Sequence, residues 1–324
     1  MRRGGLHEKP WYVCAVSTHE VTVPEELGGA RLDKALVALI PGASRARVKA
    51  AIADGAVRVN GRHVPKGGVV AAGDWLSMEL ADLASPDAPA IPEDAPLDVR
   101  FESAHVVVVD KPAGQPTAPL RAGETGTLAN ALVFRYPETA TLGYSPRDPG
   151  LLHRLDNDTS GLLVVARTRE AFGELKAALD GEALVKEYLL VCRSEHLPDE
   201  GTIAFPLANH PKDQRRVYAC VHPRDVIRYA PRPASTDYVV VERAGPYALV
   251  RVTVSKALRH QIRVHFAAIE HPLVGDVLYG GEPVEGLDRH ALHASRLSLE
   301  TATPGLSFDV SSDLPAELRA LLRG

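Results

Sequence analysis

Apolar positions at helical spacing open the interpretable part of the chain. Leu32, Leu36, Leu39 and Ile40 fall on one face of a first helix, and Val48 and Ile52, four apart, on one face of a second. Pro41-Gly42 stops the first helix and Ser44 caps the second, which carries Arg45 and Lys49 as a basic stripe beside its apolar pair. Gly55 ends that helix. Residues 57–64 then read as a hairpin turning on Asn60-Gly61, the pair that type I′ turns favour, with Val59 opposite Arg62 and Val57 opposite Val64.

The pattern changes further along. Apolar runs of strand length at 106–109 and 162–166 predict buried strands, whereas 186–191 puts Tyr188 and Leu190 on one face and Leu189 and Val191 on the other. Helices are expected over 128–134 and over 169–180, the latter capped by Thr168, stopped by Gly181 and packing through Phe172, Leu175, Ala178 and Leu179. Two antiparallel strands are expected at 234–241 and 247–254. Residues 258–269 read as a helix with Ile262, Phe266 and Ile269 as its buried stripe and Arg259 and Arg263 one turn apart.

Between these regions Pro86, Pro89, Pro92 and Pro96 stand among alanines and acids with no basic residue, a composition that reads as an extended linker over 82–97. It separates a compact unit at 21–81, preceded by a 1–20 extension to which no function is assigned, from a larger domain at 98–324.

Composition narrows the class. Of 324 residues 45% are apolar and 24% charged, as in ordinary soluble domains. No stretch approaches the roughly 18 apolar residues of a membrane span and no secretory signal pattern opens the chain, so a cytoplasmic protein without membrane contact is expected. Cys14, Cys192 and Cys220 are widely spaced and form no Cys-x-x-Cys pair, so neither a disulfide framework nor a metal site is expected. A net charge of −4 argues against indiscriminate nucleic-acid coating, yet positions 31–66 hold eight Lys/Arg against two acids. That excess suits phosphate contact or, equally, a solvated basic face.

The densest chemistry lies at 151–166, Leu-Leu-His-Arg-Leu-Asp-Asn-Asp-Thr-Ser-Gly-Leu-Leu-Val-Val-Ala, a polar loop pinned to an apolar strand. Asp156 in such a loop is first of all a turn residue. A calcium loop is the second reading, with Asp156, Asp158, Ser160 and Gly161 at positions 1, 3, 5 and 6, but Arg167 stands where the bidentate glutamate is required and excludes it. The third reading is by resemblance. His153-Arg154-Leu155-Asp156-x-x-Thr159-Ser160-Gly161-Leu162-Leu163 resembles the signature of the RluA-type RNA pseudouridine synthases, whose invariant aspartate matches Asp156.

Other stretches resemble the same family: Asp110-Lys111-Pro112-Ala113-Gly114; Lys186-Glu187-Tyr188-Leu189; the basic loop His210-Pro211-Lys212-Asp213; His260-Gln261-Ile262-Arg263 with 271–280; and 290–297. One departure stands out, because Ala257-Leu258-Arg259 replaces the usual Gly-Arg-Thr. The order of Arg31-Leu32-Asp33-Lys34, Ser44-Arg45 and Val57-Arg58-Val59-Asn60-Gly61 resembles an S4 RNA-binding domain.

The resemblance implies an α+β protein: a small S4-like RNA-binding domain, then a catalytic domain on a mixed, mostly antiparallel sheet with flanking helices. It implies Asp156 as the catalytic carboxylate on a flipped-out uridine, Tyr188 packed on the base and Arg263 paired with the aspartate to hold it ionised. Arg154 and His153 are expected at the substrate. Arg31, Arg45, Lys49, Arg58, Lys212 and Arg259 are expected at RNA phosphates. The isomerisation needs no redox change or group donor, so no cofactor and no metal are expected, and the chain has no dinucleotide fingerprint or Walker loop. The expected partner is RNA, large-subunit ribosomal RNA ahead of transfer RNA, bound by a monomer. A non-catalytic S4-type RNA-binding protein is the competing class; it predicts losses around Asp156, Tyr188 and Arg263, and none is present.

Overall fold

The computed structural model describes residues 18–40, 43, 45–65, 67–79, 88–121 and 123–323. Cys14 and the rest of 1–17, the Pro41-Gly42 stop, the Ser44 cap, Lys66 and the first part of the expected linker lie outside the described residues. The described chain divides into two compact units. One comprises residues through Pro96 together with Ala118–Pro149; the other comprises Leu97–Thr117 together with Gly150 onward.

The first unit contains strand β1 (Thr18–Thr22), helices α1 (Leu32–Leu39) and α2 (Arg45–Ala53), and strands β2 (Arg58–Val59), β3 (Arg62–His63) and β4 (Trp75–Glu79), paired in the order β1-β4-β2-β3. Its helices form where the apolar spacing requires. Leu32, Leu36, Ile40, Val48 and Ile52 meet Leu76 and Met78 in a single apolar cluster, while Arg45 and Lys49 stay exposed. Val59 pairs with Arg62 across the hairpin, and both Asn60 (φ 49°) and Gly61 (φ 75°) are left-handed, as a type I′ turn demands.

Helix α3 (Leu128–Arg135) starts at a capping box made by Thr127 and Asn130. Residues 88–97 are extended, as their prolines require, but they are tied down. The Asn130 amide donates to the Ile91 carbonyl at 2.7 Å, and the Gly126 N–H donates to the Glu93 carboxylate at 2.6 Å.

The second unit is built on a sheet of strands β5 (Asp98–Glu102), β6 (Val106–Lys111), β7 (Ser160–Ala166), β8 (Val185–Arg193), β9 (Glu200–Ile203), β12 (Thr236–Ala244), β13 (Tyr247–Thr253), β14 (Leu292–Leu299) and β15 (Phe308–Ser311). Strands β10 (Leu207–Asn209) and β11 (Val217–Ala219) form a separate hairpin, whose tip carries the expected basic loop. The main order is β5-β6-β7-β14-β8-β13-β12-β9, with β15 also on β14. The β7–β14 pair is parallel and the other pairs are antiparallel. The protein is therefore α+β with a mixed, mostly antiparallel sheet.

The unbroken apolar runs at β6 and β7 follow from burial on both faces. Every residue of β7 is buried, and Leu162 and Val164 share a cluster with Val106, Val108, Leu152, Leu175 and Leu297. Leu175 is contributed by helix α4 (Arg169–Asp180), whose cap Thr168 accepts the Ala171 N–H. Helices α5 (Pro223–Tyr229), α6 (Gln261–Ala268) and α7 (Ala316–Ala320) complete the α-helices of the described residues.

Helix α6 departs from expectation. It begins at Gln261 because the His260 backbone is left-handed (φ 55°, ψ 15°), so Arg259 lies outside the helix and forms no one-turn stripe with Arg263. Nor is it striped: Gln261 through Phe266 are all buried, Arg263 included, and Ile269 is only half-buried. The polar members tolerate burial because they are bonded. Gln261 donates to the Ser235 carbonyl at 2.7 Å, and His265 Nδ1 lies 2.8 Å from Thr236 Oγ1.

Candidate active site

The loop bearing Asp156 is fastened at both ends. Gly150 accepts the Ala166 N–H at 2.8 Å, and Gly161 lies so close to β14 that a Cβ there would sit 2.2 Å from the Ala294 carbonyl oxygen. With φ +115°, position 161 suits only glycine. Between these ends Thr117 Oγ1 donates to the Leu155 carbonyl (2.8 Å) and accepts the Leu155 N–H (3.2 Å), bracketing the residue before Asp156. Thr159 Oγ1 contacts His290 Nε2 at 2.7 Å on the other side.

Lys111 is the anchor below. Fully buried, its ammonium donates to the carbonyls of Pro112 (2.8 Å), Gln115 (2.8 Å) and Asn157 (2.9 Å), welding the Asp110–Gly114 turn to the loop. Burial pushes its pKa down to about 7, against the opposing charge of Asp158. Within that turn it is the lysine that fixes the backbone beside Asp156.

Asp156 faces a pocket of about 370 Å³, counting its open mouth, whose walls include Arg154, Thr159, Tyr188, Leu258, His260 and Arg263. Arg263 Nη1 donates to Asp156 Oδ2 at 2.8 Å, and its Nε and Nη2 donate to Asp276 at 2.7 and 2.8 Å. The guanidinium is thus held as a fork by one buried carboxylate and presents its remaining edge to another. Asp156 Oδ1 is left with His260 Nε2 at 3.7 Å, beyond hydrogen-bond reach. Tyr188, on β8, is buried but lines the pocket; burial, reinforced by the Asp156 charge, raises its pKa and keeps it a neutral phenol.

The other expected contacts divide. Arg154 is exposed at the pocket wall. His153 is not among the lining residues: its imidazole points into the protein, where burial and then the Lys186 charge push its pKa down to about 3. Lys212 and Arg259 are exposed, with Arg259 Nη2 donating to the Arg215 carbonyl at 2.7 Å. Arg31, Arg45, Lys49 and Arg58 are exposed on the first unit, Arg31 in an ion pair with Asp33 at 2.9 Å. Leu258, at the departure from the family pattern, packs with Val217, Val264 and Tyr279 and forms an apolar stretch of pocket wall. Among the described residues no group of His, Cys, Asp and Glu is arranged to hold a metal ion.

Sequence reasoning missed Asp276, His260 and Tyr279. All three stand in stretches already singled out, but nothing in their spacing says that they converge.

Residues 105–268 match the family described as RNA pseudouridylate synthase, and residues 30–75 match the S4 domain. The chain is 35% identical over 314 residues to the ribosomal large subunit pseudouridine synthase D of Yersinia pestis, covering 93% of this chain and 92% of that one. It is 34% identical over 323 residues to the protein of the same description from Haemophilus ducreyi, covering 94% and 95%. Among solved structures, human RNA pseudouridylate synthase domain containing 1 superposes with a TM-score of 0.54 at 26% identity, over 68% of this chain and 84% of that one. Fold, pocket and these matches together define an isomerase that converts uridine to pseudouridine in RNA. The chain belongs to the RNA pseudouridylate synthase family.

Proposed function

We propose that this enzyme isomerises uridines of large-subunit ribosomal RNA, using Asp156 as its catalytic carboxylate on a base flipped out of the stack. The observation that carries the role of Asp156 is the inequality of its two oxygens: Oδ2 accepts from Arg263 at 2.8 Å, while Oδ1 faces the pocket. An ionised carboxylate with one oxygen restrained and the other open can act as nucleophile or as proton-abstracting base when the N-glycosidic bond breaks. Tyr188 offers a buried aromatic wall for the flipped uracil, and Arg154 at the rim is placed to fill or clamp the gap that the base leaves. The ribosomal substrate is supported by relatives at 34–35% identity over more than nine-tenths of the chain, which are described as acting on the large ribosomal subunit.

Two measurements test the reading. Asp156→Asn abolishes isomerisation and leaves RNA affinity within about threefold, because the loop is held by Thr117, Lys111 and Thr159 rather than by the carboxylate. Turnover near wild type refutes the assignment. Mapping pseudouridines in cells with and without the gene shows sites lost from large-subunit ribosomal RNA; loss confined to transfer RNA overturns the choice of substrate.

A further inference from the structure

His260 stands at the start of α6 with φ 55°, a left-handed conformation uncommon for a residue with a Cβ. Its surroundings are specific. Its Nδ1 lies 2.9 Å from Tyr279 Oη, and the two rings meet edge to face with centroids 5.7 Å apart. The Tyr279 ring is in turn flanked by the guanidinium groups of Arg263 (5.2 Å) and Arg216 (5.4 Å).

This network sets a preference between the two imidazole tautomers. The Val217 N–H donates to Tyr279 Oη at 2.8 Å, and the assignment that satisfies both side chains gives the phenol's own hydrogen to His260 Nδ1, 2.9 Å away. Burial holds the His260 pKa below its usual value, despite the nearby Asp156 charge. A neutral ring that accepts at Nδ1 carries its single hydrogen on Nε2.

That N–H faces the pocket. Nε2 is 3.7 Å from Asp156 Oδ1, too far to spend its hydrogen there, and His260 is one of the residues that line the cavity. An unspent, largely buried donor beside the open oxygen of the catalytic carboxylate calls for an acceptor on the substrate. Because Nε2 is already protonated, it cannot serve as a base toward the pocket. With the Asp156 carboxylate 3.7 Å away repelling an anion, the acceptor that this donor suits is a neutral carbonyl rather than a phosphate.

We propose that His260 is a specificity-determining residue whose Nε2–H donates to a ring carbonyl of the flipped uridine and holds that ring against Asp156. The proposal rests on the reading of the pocket as a uridine site. It gives the enzyme a polar test of base identity beside the apolar surfaces of Leu258 and Tyr188.

The test couples protein and substrate changes. Full-length wild type, His260→Gln and His260→Leu are compared in single-turnover assays on a large-subunit ribosomal RNA fragment that the wild type modifies. The target nucleotide is uridine, 2-thiouridine, 4-thiouridine or 2′-deoxyuridine. Sulfur accepts hydrogen bonds poorly, so one of the two thio substrates slows the wild type by about tenfold. His260→Leu is slowed by a similar factor on uridine and loses nothing further on that same thio substrate, while His260→Gln, which keeps a donor, recovers part of the rate. His260→Gln also supplies the comparison if His260→Leu fails to fold. The proposal is overturned if both variants match the wild type on uridine. It also fails if thio substitution slows every protein equally, or if coupling is confined to the 2′-hydroxyl. A wild type that modifies no RNA sinks the uridine reading itself, and this proposal with it.

Discussion

Asp276 occupies one edge of the Arg263 guanidinium, accepting from Nε at 2.7 Å and from Nη2 at 2.8 Å, with 1% of its side chain exposed. Asp156 is met by Nη1 alone, at 2.8 Å. Arg263 therefore reaches the Asp156 carboxylate through a single aimed donor rather than as a two-pronged clamp, and Asp276 sets the aim. The fork geometry explains why arginine stands here: a lysine ammonium has no rigid planar edge with which to serve two carboxylates in fixed directions.

Asp276→Ala leaves a buried guanidinium half uncompensated. Removing one partner of a buried pair costs about 3–5 kcal/mol, which urea unfolding will register as a lower midpoint. Asp276→Asn, which keeps the shape, lets Arg263 rotate toward Asp156. Its turnover number falls by about tenfold or more while RNA affinity changes little. Equal effects on affinity and turnover would instead mark Asp276 as a purely structural residue.

Tyr188 separates ring from hydroxyl. If its role is to provide an aromatic wall, Tyr188→Phe keeps kcat/KM within a few-fold, whereas Tyr188→Leu loses the stacking surface, worth about 1–3 kcal/mol and hence about 5–150-fold. Steady-state kinetics on ribosomal RNA decide the point. A phenylalanine variant as poor as the leucine variant shifts the burden to the phenol.

Local signals were readable and convergent ones were not. The hairpin at Asn60-Gly61, the apolar strands and the Asp156 loop are each written in a few adjacent residues, and each stands where the pattern put it. Arg263 was readable as the partner of Asp156, although its burial was not. One left-handed residue, His260, starts the helix later than periodicity suggests and separates Arg259 from it. Asp276, Tyr279 and Lys111 act through atoms distant in the chain, such as the Val217 N–H and the Asn157 carbonyl. No spacing rule reports such meetings; a carboxylate inside the quoted stretch 271–280 was the available hint for Asp276.

Lys186 makes a claim about pH. It is 1% exposed, its ammonium has no hydrogen-bond partner among the described residues, and burial pushes its pKa down to about 8. Between about pH 8 and the ordinary lysine value the unfolded chain binds a proton that the folded protein releases, so this residue's contribution makes stability rise with pH. Below pH 8 the full penalty, roughly 3 kcal/mol, applies. Lys186→Met removes it. The variant is more stable than wild type in urea at pH 7.5, and the gap narrows steadily toward pH 10. A gap that does not change with pH would mean that Lys186 titrates normally.

The basic residues of the first unit carry the last expectation. Arg45, Lys49 and Arg58 are exposed on the S4 domain, so they are free to neutralise phosphates and release counterions. Each such contact to single-stranded RNA contributes about 0.7 to the slope of log affinity against log salt, so replacing all three by glutamine reduces that slope by about 2. The pocket lies entirely in the other unit, and the rate of chemistry on saturating RNA stays unchanged. Filter binding from 50 to 300 mM salt, paired with single-turnover kinetics, separates the two quantities. An unchanged slope would assign these cations to solvent, and a slower chemical step at saturation would mean that the S4 domain helps to position the uridine as well as to hold the RNA.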